Sequence, residues 1–151
     1  MGYPGTDLLF NTGFEEVTAS VLSEWQTTGA PQWIHRATDA HNGEGYVRVT
    51  NSSYFFQRTP IPSGVKNLEL TQWVKAAQSG EIVPVRLQLS WEIRLGKFMS
   101  SKIEVVQAET SWTEYQMKTA VPPGAKYAVV TSCNNMCFKK SDFDEVHLYT
   151  R

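Results

Sequence analysis

The fold is decided by the stretch Val85-Arg86-Leu87-Gln88-Leu89-Ser90-Trp91-Glu92. Its apolar and polar residues alternate without a break, which is the pattern of a β-strand with one buried face. The odd-numbered residues, which end with Trp91, are expected in the core. The even-numbered residues, among them Arg86 and Gln88, are expected on the outer face of a sheet.

The stretch Leu68–Lys75 repeats this alternation. Leu68, Leu70 and Val74 share one face, and Trp73 lies on the other face with polar residues. Trp73 is therefore expected to point away from the core, where it is either exposed or covered by a neighbouring loop.

Six further segments are rich in Val, Ile, Thr, Tyr, Phe and Trp, and glycines and prolines separate them. This spacing is typical of a sandwich or barrel and predicts an all-β sandwich. Val17–Leu22 could form one short helix. The six additional predicted strands are Tyr46–Thr50, Tyr54–Arg58, Ser101–Val106, Glu114–Thr119, Ala125–Ser132 and Phe143–Thr150.

The composition excludes several classes of function. A length of 151 residues suits a single domain over residues 1–151, and the formal net charge is −1. No basic run supplies the stripe that nucleic-acid binding needs, and no apolar stretch is long enough to span a bilayer. We therefore expect neither a nucleic acid nor a membrane as partner. No signal peptide opens the sequence, so we expect a mature fragment or a module excised from a longer protein.

Catalysis is not expected. The three histidines are scattered, and neither a nucleophile motif nor a strand with paired carboxylates is present. Cys133 and Cys137 lack the further ligands of a zinc site, since the nearest histidine, His147, stands alone. The two cysteines are either unpaired small apolar residues or a local disulfide.

Aromatic side chains, including five tryptophans, are the remaining signal. Flat aromatic rings cover the apolar face of a sugar, and planar polar groups bond its hydroxyls. Trp25 and Trp33 flank the turn at Pro31 and are candidate platforms. In the strand Tyr54–Arg58, either Tyr54 and Phe56 or the intervening phenylalanine is exposed, and periodicity does not decide between them.

Four segments together resemble the carbohydrate-binding modules of families 4, 9, 16 and 22. Asp7–Glu15 resembles their opening strand, and Trp25 matches a tryptophan that follows it. His41–Val49 resembles their His-Ser-Gly loop and the next strand. Pro62–Lys75 resembles a Pro-Gly turn before a Trp-Val-Lys strand, and Phe143–Val146 resembles the closing strand.

The resemblance implies a two-sheet antiparallel β-sandwich, a jelly roll of the galactose-binding-like type. It also implies a structural calcium ion, which takes carboxylate and carbonyl oxygens. The matching ligands are the Gly13 carbonyl, the Glu15 carboxylate, carbonyls of the loop from His41 to Glu44, and Asp144. The chain departs from the family pattern at Thr12, Asn42 and Glu145.

The resemblance and the strand alternation together give a set of predicted carbohydrate-binding residues. These are Trp25, Tyr54, Phe56, Arg86 and Gln88, followed by Trp33 and Trp73.

The predicted function is a non-catalytic module that binds β-glucan, glucomannan, mannan or xylan and targets an attached glycoside hydrolase to its substrate. We expect it to be secreted, monomeric and joined to parent enzyme domains. Two alternatives remain open. The first is a structural or adhesive module of the same fold that contacts protein, and the second is a small jelly-roll lyase or hydrolase.

Overall fold

The computed structural model describes residues 5–15, 17–18, 21–22, 24–29, 31–35, 38–50, 52–135 and 139–151. Every regular element assigned in these residues is a β-strand. In chain order the strands are β1 Val17–Thr18, β2 Val21–Leu22, β3 Gln26–Thr28, β4 Gln32–His35, β5 Gly45–Val49, β6 Tyr54–Pro60, β7 Asn67–Ala76, β8 Val83–Arg94, β9 Lys97–Ala108, β10 Thr113–Ala120, β11 Tyr127–Asn134 and β12 Ser141–Thr150.

Two five-stranded sheets form the sandwich. Sheet 1 has the strand order β10-β7-β12-β5-β4, and sheet 2 has the order β3-β6-β11-β8-β9. All neighbouring strands are antiparallel. Non-consecutive strands are neighbours in both sheets, so the chain crosses repeatedly between the two layers, as in a jelly roll.

The core lies between the sheets and is rich in aromatic rings. Phe55 of sheet 2 meets Phe143 of sheet 1 edge to face, with ring centroids 5.7 Å apart. Phe14 packs edge to face against Phe55 at 5.3 Å. Such edge-to-face pairs are favourable beyond the apolar area that they bury. Gln72 is also fully buried, and its side-chain amide donates to the Arg86 carbonyl of the opposite sheet at 3.1 Å.

The alternation in the two decisive stretches is confirmed. Leu68, Leu70 and Val74 of β7 are fully buried, and the odd-numbered residues of β8 are buried from Val83 to Trp91, which is 2% exposed. All eight predicted strands are present; β6 begins at Tyr54 and β12 ends at Thr150 as predicted, and the other strand ends differ by one to four residues. β8 was the most predictable of them, because buried residues alternate with partly exposed ones from Val83 to Ser90.

The expectation of a short helix at Val17–Leu22 is wrong. The described residues of this segment form the strands β1 and β2, in which Val17 pairs with Leu22 and Thr18 with Val21. Three of these four residues are β-branched, which favours extended backbone over helix. No helix in the described residues is long and apolar enough to cross a membrane.

Candidate functional site

The outer face of sheet 2 carries a row of side chains that crosses all five strands. The backbone register pairs Gln26 with Phe56, Phe56 with Thr131, Thr131 with Gln88, and Gln88 with Ile103. We call this the central row. It places an aromatic ring, a hydroxyl, a primary amide and an aliphatic side chain side by side on one surface.

A second row lies one step along the strands. Tyr54 precedes Phe56 by two residues on β6, and their rings are 6.2 Å apart and tilted by 36°. On the far side Cys133 pairs with Arg86, and Arg86 pairs with Val105 of β9. We call the two rows together the sheet 2 face. Tyr54 is thus exposed, Phe56 is half-buried and Phe55 is fully buried, which decides the alternative that the sequence left open.

Arg86 and Gln88 lie next to each other on this face. The Arg86 Nε donates to Asn135 Oδ1 at 2.8 Å, and its Nη1 lies 3.5 Å from Gln88 Oε1. The Cys133 thiol lies 3.7 Å from the same Gln88 oxygen. Burial raises the pKa of the Cys133 thiol, so it is neutral at physiological pH.

An ion pair bounds one side of the sheet 2 face. Arg58 of β6 donates two hydrogen bonds to Glu92 of β8, at 2.8 and 3.0 Å, across the intervening strand β11. The hydrogen bond from Arg58 lowers the pKa of Glu92. The opposite charges of this bidentate pair compensate each other. The pair marks the border of the surface on that side of the central row.

Three of the predicted platforms lie elsewhere. The prediction that Trp25 is an exposed platform is wrong, because its ring is 3% exposed and packs edge to face on Phe55 at 5.1 Å. Trp33 lies on β4 of sheet 1, packs against the core, and donates from Nε1 to the Phe14 carbonyl at 2.7 Å. Trp73 lies on the outer face of sheet 1 and is covered by His41, which stacks on it at 3.7 Å.

The structure therefore brings together Tyr54, Phe56, Arg86 and Gln88, and it separates them from the three tryptophans. Sequence reasoning missed the rest of the central row. Gln26, Thr131 and Ile103 join it only through the register between strands, which no local pattern encodes.

The predicted calcium ligands lie at the start of the chain, in the His41–Glu44 loop and on β12. The Glu15 carboxylate accepts from the backbone N–H of Glu44 at 2.8 Å and of Gly45 at 2.7 Å. The loop passes so close that a Cβ added to Gly43 would lie 2.5 Å from Glu15 Oε1, and its φ of 66° also favours glycine.

Asp144 is the buried carboxylate of this region. It accepts from the backbone N–H of Asn42 at 3.1 Å and of Glu145 at 2.9 Å. Burial, and to a lesser degree the negative charges of Glu145 and Glu15, raise its pKa to about 7. A buried carboxylate beside further carboxylates calls for a compensating cation.

The side chains of His41 and Glu44 take no part in this cluster. The His41 ring stacks on Trp73, and Glu44 pairs with His35 at 2.6 Å. Within the described ranges, no three His, Cys, Asp or Glu side chains form a group that could hold a metal ion by themselves. A cation here would need carbonyl oxygens in addition to Glu15 and Asp144. Cys133 is a free thiol, which agrees with the unpaired alternative, and Cys137 lies outside the described residues.

No protein-family model matches the chain, and no curated protein matches it. Several solved structures do. The xylan-binding CBM22-1 domain of Paenibacillus barcinonensis Xyn10C has a TM-score of 0.71 at 14% identity, with 99% of this chain and 97% of that chain covered. The CBM22-1–GH10 modules of Clostridium thermocellum xylanase 10B, in complex with xylohexaose, have a TM-score of 0.65 at 15% identity, with 100% and 29% covered.

The enzymatically active domain of tailspike protein 4 from bacteriophage CBA120 is also similar. Its TM-score is 0.72 at 12% identity, and the alignment covers 96% of this chain. The chain spans only 21% of the length of that tailspike domain. At these identities the likenesses concern the fold, and they confirm the predicted jelly-roll sandwich of carbohydrate-binding modules.

Proposed function

We propose that this chain is a non-catalytic carbohydrate-binding module and that the sheet 2 face is its binding surface. The observation that carries the proposal is the central row, in which Phe56 and Gln88 lie on either side of Thr131. An aromatic ring beside planar polar groups is the combination that a sugar ring requires.

A glycan chain would run across the strands along the two rows. Neighbouring strands are about 4.8 Å apart, so β6 and β9 are separated by about 14 Å over three steps. Each step is close to the length of one β-linked sugar residue. In this arrangement sugar rings stack on Tyr54 and Phe56 at one end, bond Gln88 and Arg86 in the middle, and cover Ile103 and Val105 at the other end.

The proposed ligands are β-glucan, glucomannan, mannan or xylan, and the proposed role is to hold an attached glycoside hydrolase at its substrate. The xylanase 10B neighbour, in which such a module precedes a GH10 module and which was solved with xylohexaose, supports this role. Secretion and a monomeric state complete the proposal.

A structural calcium ion is part of the proposal. Glu15 and Asp144 would supply carboxylate oxygens, and Gly13 and the His41–Glu44 loop would supply carbonyl oxygens, which are the ligands that calcium prefers. The buried Asp144 with its raised pKa supports a cation at this place. Calcium would neutralise the cluster and hold the first residues of the chain to β12.

A second candidate function is a contact module that binds protein. The hairpin between β8 and β9 favours it, because Leu95 is 66% and Phe98 is 62% exposed. Exposed apolar side chains that cluster at one end of a sheet can mark an interaction surface. The third alternative, a small lyase or hydrolase, predicts new reducing or unsaturated ends from a glycan, and our proposal predicts none.

Titration calorimetry tests the proposal, with cellohexaose, mannohexaose, xylohexaose and galactan in calcium-containing buffer. Phe56→Ala removes a stacking ring whose burial contributes about 1.5–3 kcal/mol, so affinity should fall roughly tenfold to a hundredfold. Phe98→Ala is the matched control on the same sheet and should leave affinity unchanged. Glycan binding that depends on Phe98 and not on Phe56 would refute the sheet 2 face as the binding surface. No glycan binding by the folded chain would refute the proposal and favour the protein-contact module.

A further inference from the structure

Arg86 differs from the two charged residues that border the sheet 2 face. Arg58 and Glu92 neutralise each other in a bidentate pair. In the described part of the chain, the Arg86 guanidinium contacts only the neutral side chains of Asn135 and Gln88. The face therefore presents one positive charge that no carboxylate of the described residues compensates.

The position of the guanidinium leaves one edge available to a ligand. Its Nε is occupied by Asn135 Oδ1 at 2.8 Å, and Asn135 is itself fixed by a backbone hydrogen bond of 2.9 Å to Pro84. The contact from Nη1 to Gln88 is 3.5 Å, long for a hydrogen bond. The edge formed by Nη1 and Nη2 can therefore bind two oxygens of one planar anion.

The neighbours of Arg86 strengthen its attraction for an anion. Val105 pairs with it on β9 and Ile103 is one step away in the central row, and both are aliphatic and exposed. On the other side Cys133 is a neutral thiol, because burial raises its pKa. A glycan that covers these residues removes water from around the guanidinium, and an ion pair gains strength as water is excluded.

We propose that the module prefers glycans that carry uronic acid residues and that Arg86 binds the uronate carboxylate through Nη1 and Nη2. The inference rests on the proposed function. Among the proposed types of glycan chain, it specifies those that carry uronic acid residues as the preferred ligands. Arginine matches a planar carboxylate with two parallel hydrogen bonds, which a lysine ammonium does not. Hydroxyl groups alone would occupy the same nitrogens without using their charge.

Matched pairs of oligosaccharides test the preference by titration calorimetry. Cellohexaose is compared with the cellouronate hexamer, mannohexaose with the mannuronate hexamer, and xylohexaose with xylohexaose bearing a glucuronic acid branch. The acidic member of at least one pair should bind at least tenfold more tightly at low salt. That advantage should shrink as sodium chloride is raised, because salt screens exposed charges.

Three variants locate the effect. Arg86→Gln should abolish the preference, so that the two members of the pair bind with equal affinity. Arg86→Lys should keep part of the preference, since it keeps the positive charge but loses the two parallel hydrogen bonds of the guanidinium. Arg94→Gln removes an exposed arginine near the end of the same strand and should change nothing. Thermal unfolding checks that each variant is folded.

The outcomes separate this inference from the proposed function. Equal or tighter binding of the neutral members, with Arg86→Gln weakening both members alike, would overturn the uronate preference and leave the carbohydrate-binding proposal intact. No binding of any glycan by the folded protein would refute both. A preference for the acidic member that survives Arg86→Gln would overturn the role given to Arg86.

Discussion

The buried carboxylate of Asp142 offers a test of how sheet 1 is held together. Asp142 is fully buried and accepts from Arg48 at 2.7 and 3.1 Å and from Lys75 at 2.8 Å. These three residues lie on β12, β5 and β7, which are the three central strands of sheet 1. One carboxylate therefore links all three strands. Lys75 also lies over the rings of Tyr46 and Trp112, at 5.8 and 5.4 Å.

Asp142→Asn should be strongly destabilising. It leaves two cations, whose side chains are only 25% and 15% exposed, without a negative partner. Breaking a buried ion pair from one side costs about 3–5 kcal/mol. Lys75→Met should cost only about 1 kcal/mol, because it leaves the neutral Arg48–Asp142 pair, keeps the apolar stem and loses a cation–π contact.

Equilibrium unfolding in urea measures both free energies of unfolding, and an unchanged slope shows that the unfolded state is comparable. Glu92→Gln is a control on sheet 2 and should cost less than Asp142→Asn, because Glu92 pairs with one cation instead of two and is 8% exposed where Asp142 is 0%. The reasoning is refuted if Asp142→Asn costs under about 1 kcal/mol, or if Lys75→Met costs as much as Asp142→Asn.

Three further predictions concern pH, metal and ligand length. Burial alone would lower the pKa of His147, but hydrogen bonds from its ring to Asp7 and Glu145 raise it to about 9. The stabilisation that this histidine gives is therefore complete below its unfolded pKa of 6.5 and is lost as the pH rises through 9. Urea unfolding across this range should show the loss, and His147→Gln should remove it. Calcium should raise the melting temperature of the protein, and a chelator should lower it. The Asp144→Asn variant should melt at the same temperature with calcium and with chelator. A calcium response that survives this substitution would contradict the proposed site. Affinity for β-linked oligosaccharides should increase up to about four residues and then level off, since the strands of sheet 2 span about 19 Å in four steps; a continued increase in calorimetric titrations of longer chains would contradict binding across the strands.

The fold could be predicted from the sequence because the alternation of apolar and polar residues indicates which face of a strand is buried. In β8 each odd residue is apolar, so the outward placement of Arg86 and Gln88 followed directly and is confirmed. Tyr54 and Phe56 could not be placed in this way, because three aromatic residues in succession give no alternation. Only the pairing of β6 with β11 fixes which of them points outward.

The tryptophans show where sequence reasoning ends. Trp25 lies just before the short strand β3, where no periodicity reports its direction, and its ring fills the core instead of the surface. Trp73 does leave the core, as its strand predicts, but a loop distant in sequence places His41 over it. Long-range coverage of this kind has no local signal.

A comparable limit applies on β12. The strand follows its register with β7 up to Asp144 and resumes at His147, and a bulge between them puts Glu145 at a φ of 49°. The sequence indicated acidic residues near both chain ends. The convergence of Glu15 with Asp144 depends on this bulge and on the close passage of the loop at Gly43.

The most direct test of the central claim is a titration of the isotope-labelled protein with the same oligosaccharides, followed by nitrogen–proton correlation NMR. The account predicts that the amide signals of Phe56, Gln88 and Thr131 shift together, and that the indole signals of Trp25 and Trp73 stay in place. Shifts confined to sheet 1, or no shifts with any glycan while the spectrum is that of a folded protein, would contradict it.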